Sequence, residues 1–161
     1  MFRYTNWLGG RARVRVVCYP HNGDCSLGVE PLVESCLKSK QEGWKFVRWG
    51  LPCEGKVLDP RQSILAAIRQ VHAVREAVGD DMEIAFDVHT RLDLPDTLWL
   101  CNELETCRLF FVEDPLRCED THSYRTLRQR TSAPLAAGEQ FSSIMGVSST
   151  DRGGPDRLRT H

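Results

Sequence analysis

"DPRQSILAAIRQVHAVREAVGDDMEIAFDVH", residues 59–89, decides the fold. Asp59 suits a helix N-cap, and Pro60 suits the first helical position, where a missing N–H costs nothing. Ile64, Ile68, Val71, Val74 and Val78 recur every three or four residues. That is one apolar stripe of a helix, and Gly79 is its stop. Glu83–Asp87 follows as a short apolar run and reads as a strand. It gives out abruptly at Asp87, Val88 and His89. A carboxylate and an imidazole two residues apart, at the end of a buried strand, call for a chemical reason.

Outward from this unit the pattern repeats. Glu30–Gly43 reads as a helix with Leu32, Val33, Cys36, Leu37 and Lys40 in one stripe and Gly43 as its stop. Trp44–Gly50 reads as a strand, Pro95–Cys107 as a helix and Leu109–Pro115 as a buried strand. Asp120–Arg130 reads as a short helix and Pro134–Gln140 as another short strand. At the front, "RVRVVCY", residues 13–19, alternates and is rich in valine, so a first strand is expected there. Strand and helix alternate four times, with a fifth strand, and most strands are continuous apolar runs. That order predicts an α/β fold, a parallel sheet covered by helices.

Composition narrows the function. The 161 residues are 41% hydrophobic and 27% charged, with a net charge of −1. No basic stripe points to nucleic acid. No apolar run approaches the ~20 residues of a membrane span, and the N-terminal residues lack a signal-peptide core. The seven cysteines form no C-x-x-C pair. They read as free thiols in a reducing compartment, which predicts a cytoplasmic location.

Asp87, Glu113 and Glu139 each end one of the apolar runs, and successive acids are 26 residues apart. That interval is one strand–helix unit. A lone strand-end acid is ordinarily a helix cap or a surface ion-pair partner. Three at equal spacing are expected side by side at the C-terminal rim of a parallel sheet, where such folds build their sites. Clustered carboxylates raise one another's pKa. A hard divalent cation removes that cost, and an all-oxygen set suits Mg²⁺. Asp114 and Asp120 read instead as loop or capping residues.

The motifs "FDVHTR", "FFVEDPL" and "AAGEQF", together with the strand "WKFVRWG", carry a resemblance. They resemble the barrel strands of the enolase superfamily, in its mandelate racemase/muconate lactonizing branch, from about Gly9 to Ser143. The resemblance implies a partial TIM-type β/α barrel of about four and a half units, and Mg²⁺ held by Asp87, Glu113 and Glu139. The Asp-x-His form is similar to the galactonate and mannonate dehydratases. It implies that His89 is the general acid for a departing hydroxide and that Arg48 faces the substrate. The Lys-x-Lys pair of muconate-lactonizing relatives is absent. The implied reaction takes the proton beside the carboxylate of a small-molecule sugar acid. Mg²⁺ stabilises the enediolate, the β-hydroxyl leaves, and a 2-keto-3-deoxy sugar acid forms. A racemase or epimerase of the same superfamily, and an inactive fragment of a broken gene, stay open as alternatives.

Residues 1–143 are read as the N-terminal part of the barrel domain. The resemblance also implies a capping domain and a later-strand base, and neither is expected within these 161 residues; His161 is not expected to substitute. The tail, residues 144–161, has no apolar period. A coding string that permits it, read one base later, gives "SWEFRRLIEEDLIDYARI", an amphipathic helix and an apolar strand. A frameshifted, disordered tail and a chain inactive by itself are therefore expected. So is a homo-oligomer or other self-association, through unpaired edges near Val14, Val16, Leu135 and Ala137.

Overall fold

Local chemistry starts and stops the helices. The computed structural model describes residues 10, 13–24, 26–53, 59–142 and 159–160. Helix α1 (Val29–Gln41) ends with Gly43 at φ +86°. Gly43 N donates to Lys40 O and Trp44 N to Ser39 O, both at 3.1 Å. This is a Schellman ending, which needs a left-handed residue and so favours glycine. Strand β1 is Phe46–Gly50. Helix α2 (Pro60–Val78) begins where Asp59 Oδ1 accepts from Gln62 N at 3.2 Å and ends at Gly79, φ +75°. Strand β2 is Glu83–Asp87, and helix α3 is Leu94–Glu103. A 3-10 turn at Glu105–Cys107 replaces the last turn of the longer helix expected there. Strand β3 is Phe111–Glu113. Helix α4 (Thr121–Arg130) is capped by Asp120, which accepts from Ser123 N at 3.1 Å. Strand β4 is Leu135–Ala137 and strand β5 is Arg159–Thr160.

The strands lie in the order β1-β2-β3-β4-β5, and every neighbouring pair is parallel. The fold is therefore α/β as expected. On the helix side, Val47, Trp49, Ile84, Phe86, Val112 and Leu135 pack against Ile64, Val71, Val74, Leu100 and Leu104, all buried. Each such side chain contributes about 1.5–3 kcal/mol relative to exposure. The buried indole of Trp49 donates to Gln70 Oε1 at 3.1 Å, and Gln70 Nε2 donates to Leu27 O at 2.7 Å. The buried indole N–H is thus paired, as burial requires. On the other face Ala85, Phe111 and Ala136 form a second, smaller cluster with Phe110.

The first-strand expectation is not met. Residues 13–19 join no ladder among the described residues, and Val14, Val16 and Val17 are 72–78% exposed. The place beside β1 is taken later in the chain. Asn22 N donates to Arg48 O at 2.8 Å, Asn22 Oδ1 accepts from Arg48 N at 3.1 Å, and Gly23 bridges to Trp49. Alternating Arg–Val residues offer no doubly apolar run for a parallel sheet. The edge expected at Leu135 and Ala137 also differs. Both are buried, and Ala136–Ala137 pair with Arg159–Thr160 of the tail. The rest of the tail lies outside the described residues. The six described cysteines are free thiols. No helix among the described residues is long and apolar enough to cross a membrane.

Candidate active site

The inward face of the sheet is built in two steps. Arg48 aligns with Ala85, and Ala85 with Phe111. One pleat further on, Gly50 aligns with Asp87, and Asp87 with Glu113. Side chains two residues apart on a strand share a face. Arg48 therefore starts one pleat below the acids, and the small Ala85 beside it leaves its stem room to rise. Its Nη2 reaches Asp87 Oδ2 at 2.6 Å and its Nε reaches Glu113 Oε2 at 2.9 Å. The side chains of Asp87, Glu113 and Arg48 are 5%, 6% and 14% exposed, so this is a charge-assisted pair of contacts shielded from water. Tyr19 OH donates to Glu113 Oε1 at 3.5 Å, its ring edge-on to Phe111.

Burial raises the pKa of Asp87; Arg48 opposes that shift, and Glu113 adds to it. Burial works against the charge of Arg48, but the two carboxylates outweigh it, and the pKa of its guanidinium is raised. Burial also raises the Tyr19 hydroxyl, with Glu113 adding to the effect.

His89 is not on the strand. Strand β2 ends at Asp87, and His89 and Thr90 turn with φ of +56° and +58°. His89 N donates to Asp87 Oδ1 at 2.8 Å, and its ring Nδ1 lies 3.3 Å from Asp87 Oδ2. This local Asx-type turn satisfies the backbone where the ladder stops. The ring is half exposed, and Nε2 is the nitrogen free of Asp87. A cavity of about 350 Å³ opens here, lined by His21, Gly23, Asp24, Arg48, Gly50, Leu51, Asp87, His89, Arg91 and Glu139.

Glu139 is where equal spacing misleads. Glu113 aligns with Ala136, and β4 ends at Ala137, so Glu139 lies in the exposed turn beyond the strand. It lines the same cavity as Asp87 and His89. Among the described residues, no three His, Cys, Asp or Glu side chains converge as a metal-holding group. Asp87 and Glu113 are gathered on the Arg48 guanidinium, and Glu139 stands apart from them. The donor set still fits a hard divalent cation in kind. Asp87 and Glu113 are buried carboxylates on adjacent strand ends, and Glu139 lines the cavity that Asp87 also lines, all oxygen donors.

Several residues here were not singled out from the sequence. Tyr19 lies in the segment 13–19, and Arg91 closes the motif FDVHTR. Arg91 Nη1 donates to Leu51 O at 3.2 Å and lines the cavity. Asp114, read as a loop residue, is 3% exposed with φ +38°, and burial pushes its carboxyl up to about 6. A second acid directly after a strand-end acid, with proline behind it, was the available signal.

The family model described as enolase C-terminal domain-like matches residues 32–150. A D-galactonate dehydratase family member of Enterocloster bolteae is 33% identical over 156 residues, covering 84% of this chain and 38% of that protein. This chain thus spans about two-fifths of that relative's length. Among solved structures, a mandelate racemase/muconate lactonizing enzyme-like protein from Rubrobacter xylanophilus aligns with a TM-score of 0.75. It is 25% identical, covering 91% of this chain and 43% of its own. An enolase from Pantoea ananatis with bound D-gluconate and magnesium also aligns at 0.75, with 22% identity, over 88% of this chain and 41% of its own. The match spans α1 to β4 and takes in Arg48, His89 and all three acids, and the chain belongs to the enolase C-terminal domain-like family of the enolase superfamily, similar to its acid-sugar dehydratases.

Proposed function

We propose that this chain carries the metal-binding and proton-donating side of a sugar-acid dehydratase site. The observation that supports this best is the placement of Asp87 and Glu113 on adjacent strand ends, beside His89 and a cavity of about 350 Å³. Asp87, Glu113 and Glu139 would hold Mg²⁺. When bound, the cation supplies positive charge against the negative charge that grows on a substrate carboxylate.

The chain's own residues do the rest. Arg48 keeps its charge at any working pH; with Nη2 and Nε held by Asp87 and Glu113, its Nη1 would be the donor for a substrate carboxylate or hydroxyl. Asp87 holds the Nδ1 edge of His89, whose ring lines the cavity. Nε2 would give its proton to the β-hydroxyl as that group leaves as water. The small molecule taken is a sugar acid, whose carboxylate and hydroxyls match a cavity walled by Arg48, His89, Arg91 and Asp24.

Titration calorimetry of the chain with Mg²⁺ tests the ligand set. Weak binding is expected, since three carboxylates leave about half of an octahedral shell to water. Equal affinity of Glu139→Gln would remove Glu139 from the set. Keto-acid release from a panel of sugar acids, by protein that carries this chain, tests the reaction. Release abolished by EDTA and restored by Mg²⁺ is expected. Exchange of the α-proton in deuterated water with no keto acid would make the reaction a racemisation or epimerisation.

A further inference from the structure

Glu139 is on the wrong parity for the cavity. Along β4, Leu135 and Ala137 belong to the helix-side core and Ala136 to the inward cluster. Alternation carried on would put Gly138 inward and Glu139 on the helix side. The chain breaks the alternation at Gly138, with φ +145°, a conformation that excludes an ordinary side chain. That break turns Glu139 onto the cavity wall.

What holds the break is Asp114. Its buried Oδ1 accepts from Gly138 N at 3.2 Å. Its backbone N donates to Ala136 O, and its O accepts from Thr90 N, both at 2.8 Å. Gln140 Nε2 then donates to Thr90 Oγ1 at 3.2 Å and closes a hydrogen-bonded ring. The ring joins the three strand exits that carry Asp87 and His89, Glu113, and Glu139. Thr90, Asp114 and Gly138 all have positive φ. Strained backbone of this kind persists only where its surroundings over-determine it.

We propose that Asp114 is a positioning residue. Through Gly138 it fixes where Glu139 stands relative to Asp87 and Glu113, and so sets the affinity of the cation site. The inference rests on the metal reading above and adds a residue to it.

The test uses the full chain with Asp114→Asn and Asp114→Gly. Both residues tolerate positive φ, but only asparagine keeps an oxygen acceptor for Gly138 N–H. Two quantities are read: Mg²⁺ affinity by calorimetry, and hydrogen exchange at the Gly138 amide. Asp114→Asn should keep affinity and slow exchange near those of the parent. Asp114→Gly should bind Mg²⁺ roughly 10–100-fold more weakly, the usual cost of a lost outer-shell partner, and should lose protection at Gly138. Gln140→Ala changes an exposed side chain that folding does not need, and should weaken binding by about twofold, a marginal hydrogen bond's worth. Asp114→Gly and Gln140→Ala both binding like the parent would overturn the proposal. A parent chain that binds no Mg²⁺ would sink the metal reading instead. Exchange at Gly138 would then decide the positioning claim, which fails if protection is equal in the parent and Asp114→Gly.

Discussion

Replacing Arg48 with methionine keeps an unbranched apolar stem and removes the charge between Asp87 and Glu113. Contacts of 2.6 and 2.9 Å, with all three side chains at most 14% exposed, make this a buried ion triad. Removing one partner of such a group leaves uncompensated charge and costs about 3–5 kcal/mol. For a chain of this length that lowers the melting temperature by roughly 10 °C. The loss should depend on pH. Burial already raises the folded-state pKa of Asp87 above its unfolded value. The folded chain therefore binds this proton more readily than the unfolded chain, and Asp87 costs stability as pH rises through that window. Arg48 opposes the shift, so Arg48→Met should widen the window and regain stability as pH falls. If the two acids also ligate a cation, Mg²⁺ at 100 times its Kd should restore about 2.7 kcal/mol. Urea melts at neutral and mildly acidic pH, with and without Mg²⁺, measure all of this. A variant as stable as the parent at neutral pH without Mg²⁺ would refute the claim that Arg48 holds the two carboxylates in place.

Other substitutions probe other links. Gln70→Leu leaves the buried Trp49 indole N–H without its acceptor and should destabilise the chain by about 1–3 kcal/mol, read by urea melt. Asp59→Ala removes the acceptor for Gln62 N and should cost about 1 kcal/mol with no change in Mg²⁺ affinity. In active protein that carries this chain, His89→Asn should lower turnover by roughly 10²–10⁴. Mg²⁺ binding and exchange of the α-proton should survive; undiminished keto-acid release by that variant would take His89 out of the reaction.

Much of this architecture was legible because it is local. Asp59, Pro60 and Gly79 bound a helix through bonds to neighbours within four residues, so sequence spacing alone places them. Apolar runs ending in Asp87 and Glu113 mark two strand ends for the same reason. The segment 13–19 shows the limit. A strand exists only if a partner offers its backbone, and Asn22 and Gly23 occupy that partner's edge. Spacing put Glu139 level with Glu113, but register is a property of two paired strands, and β3 meets β4 at Ala136. The guanidinium between the two acids required the alignment of three strands and an alanine at position 85 to leave it room. The contact of Asp114 with Gly138 required the crossover through α4, which brings Gly138 N within 3.2 Å of a residue 24 positions earlier. Sequence determined which chemical groups this chain carries, because residue types and local spacing are written in it. Only tertiary structure decided which groups meet, because burial, register and the choice of partner are settled between segments far apart in the chain.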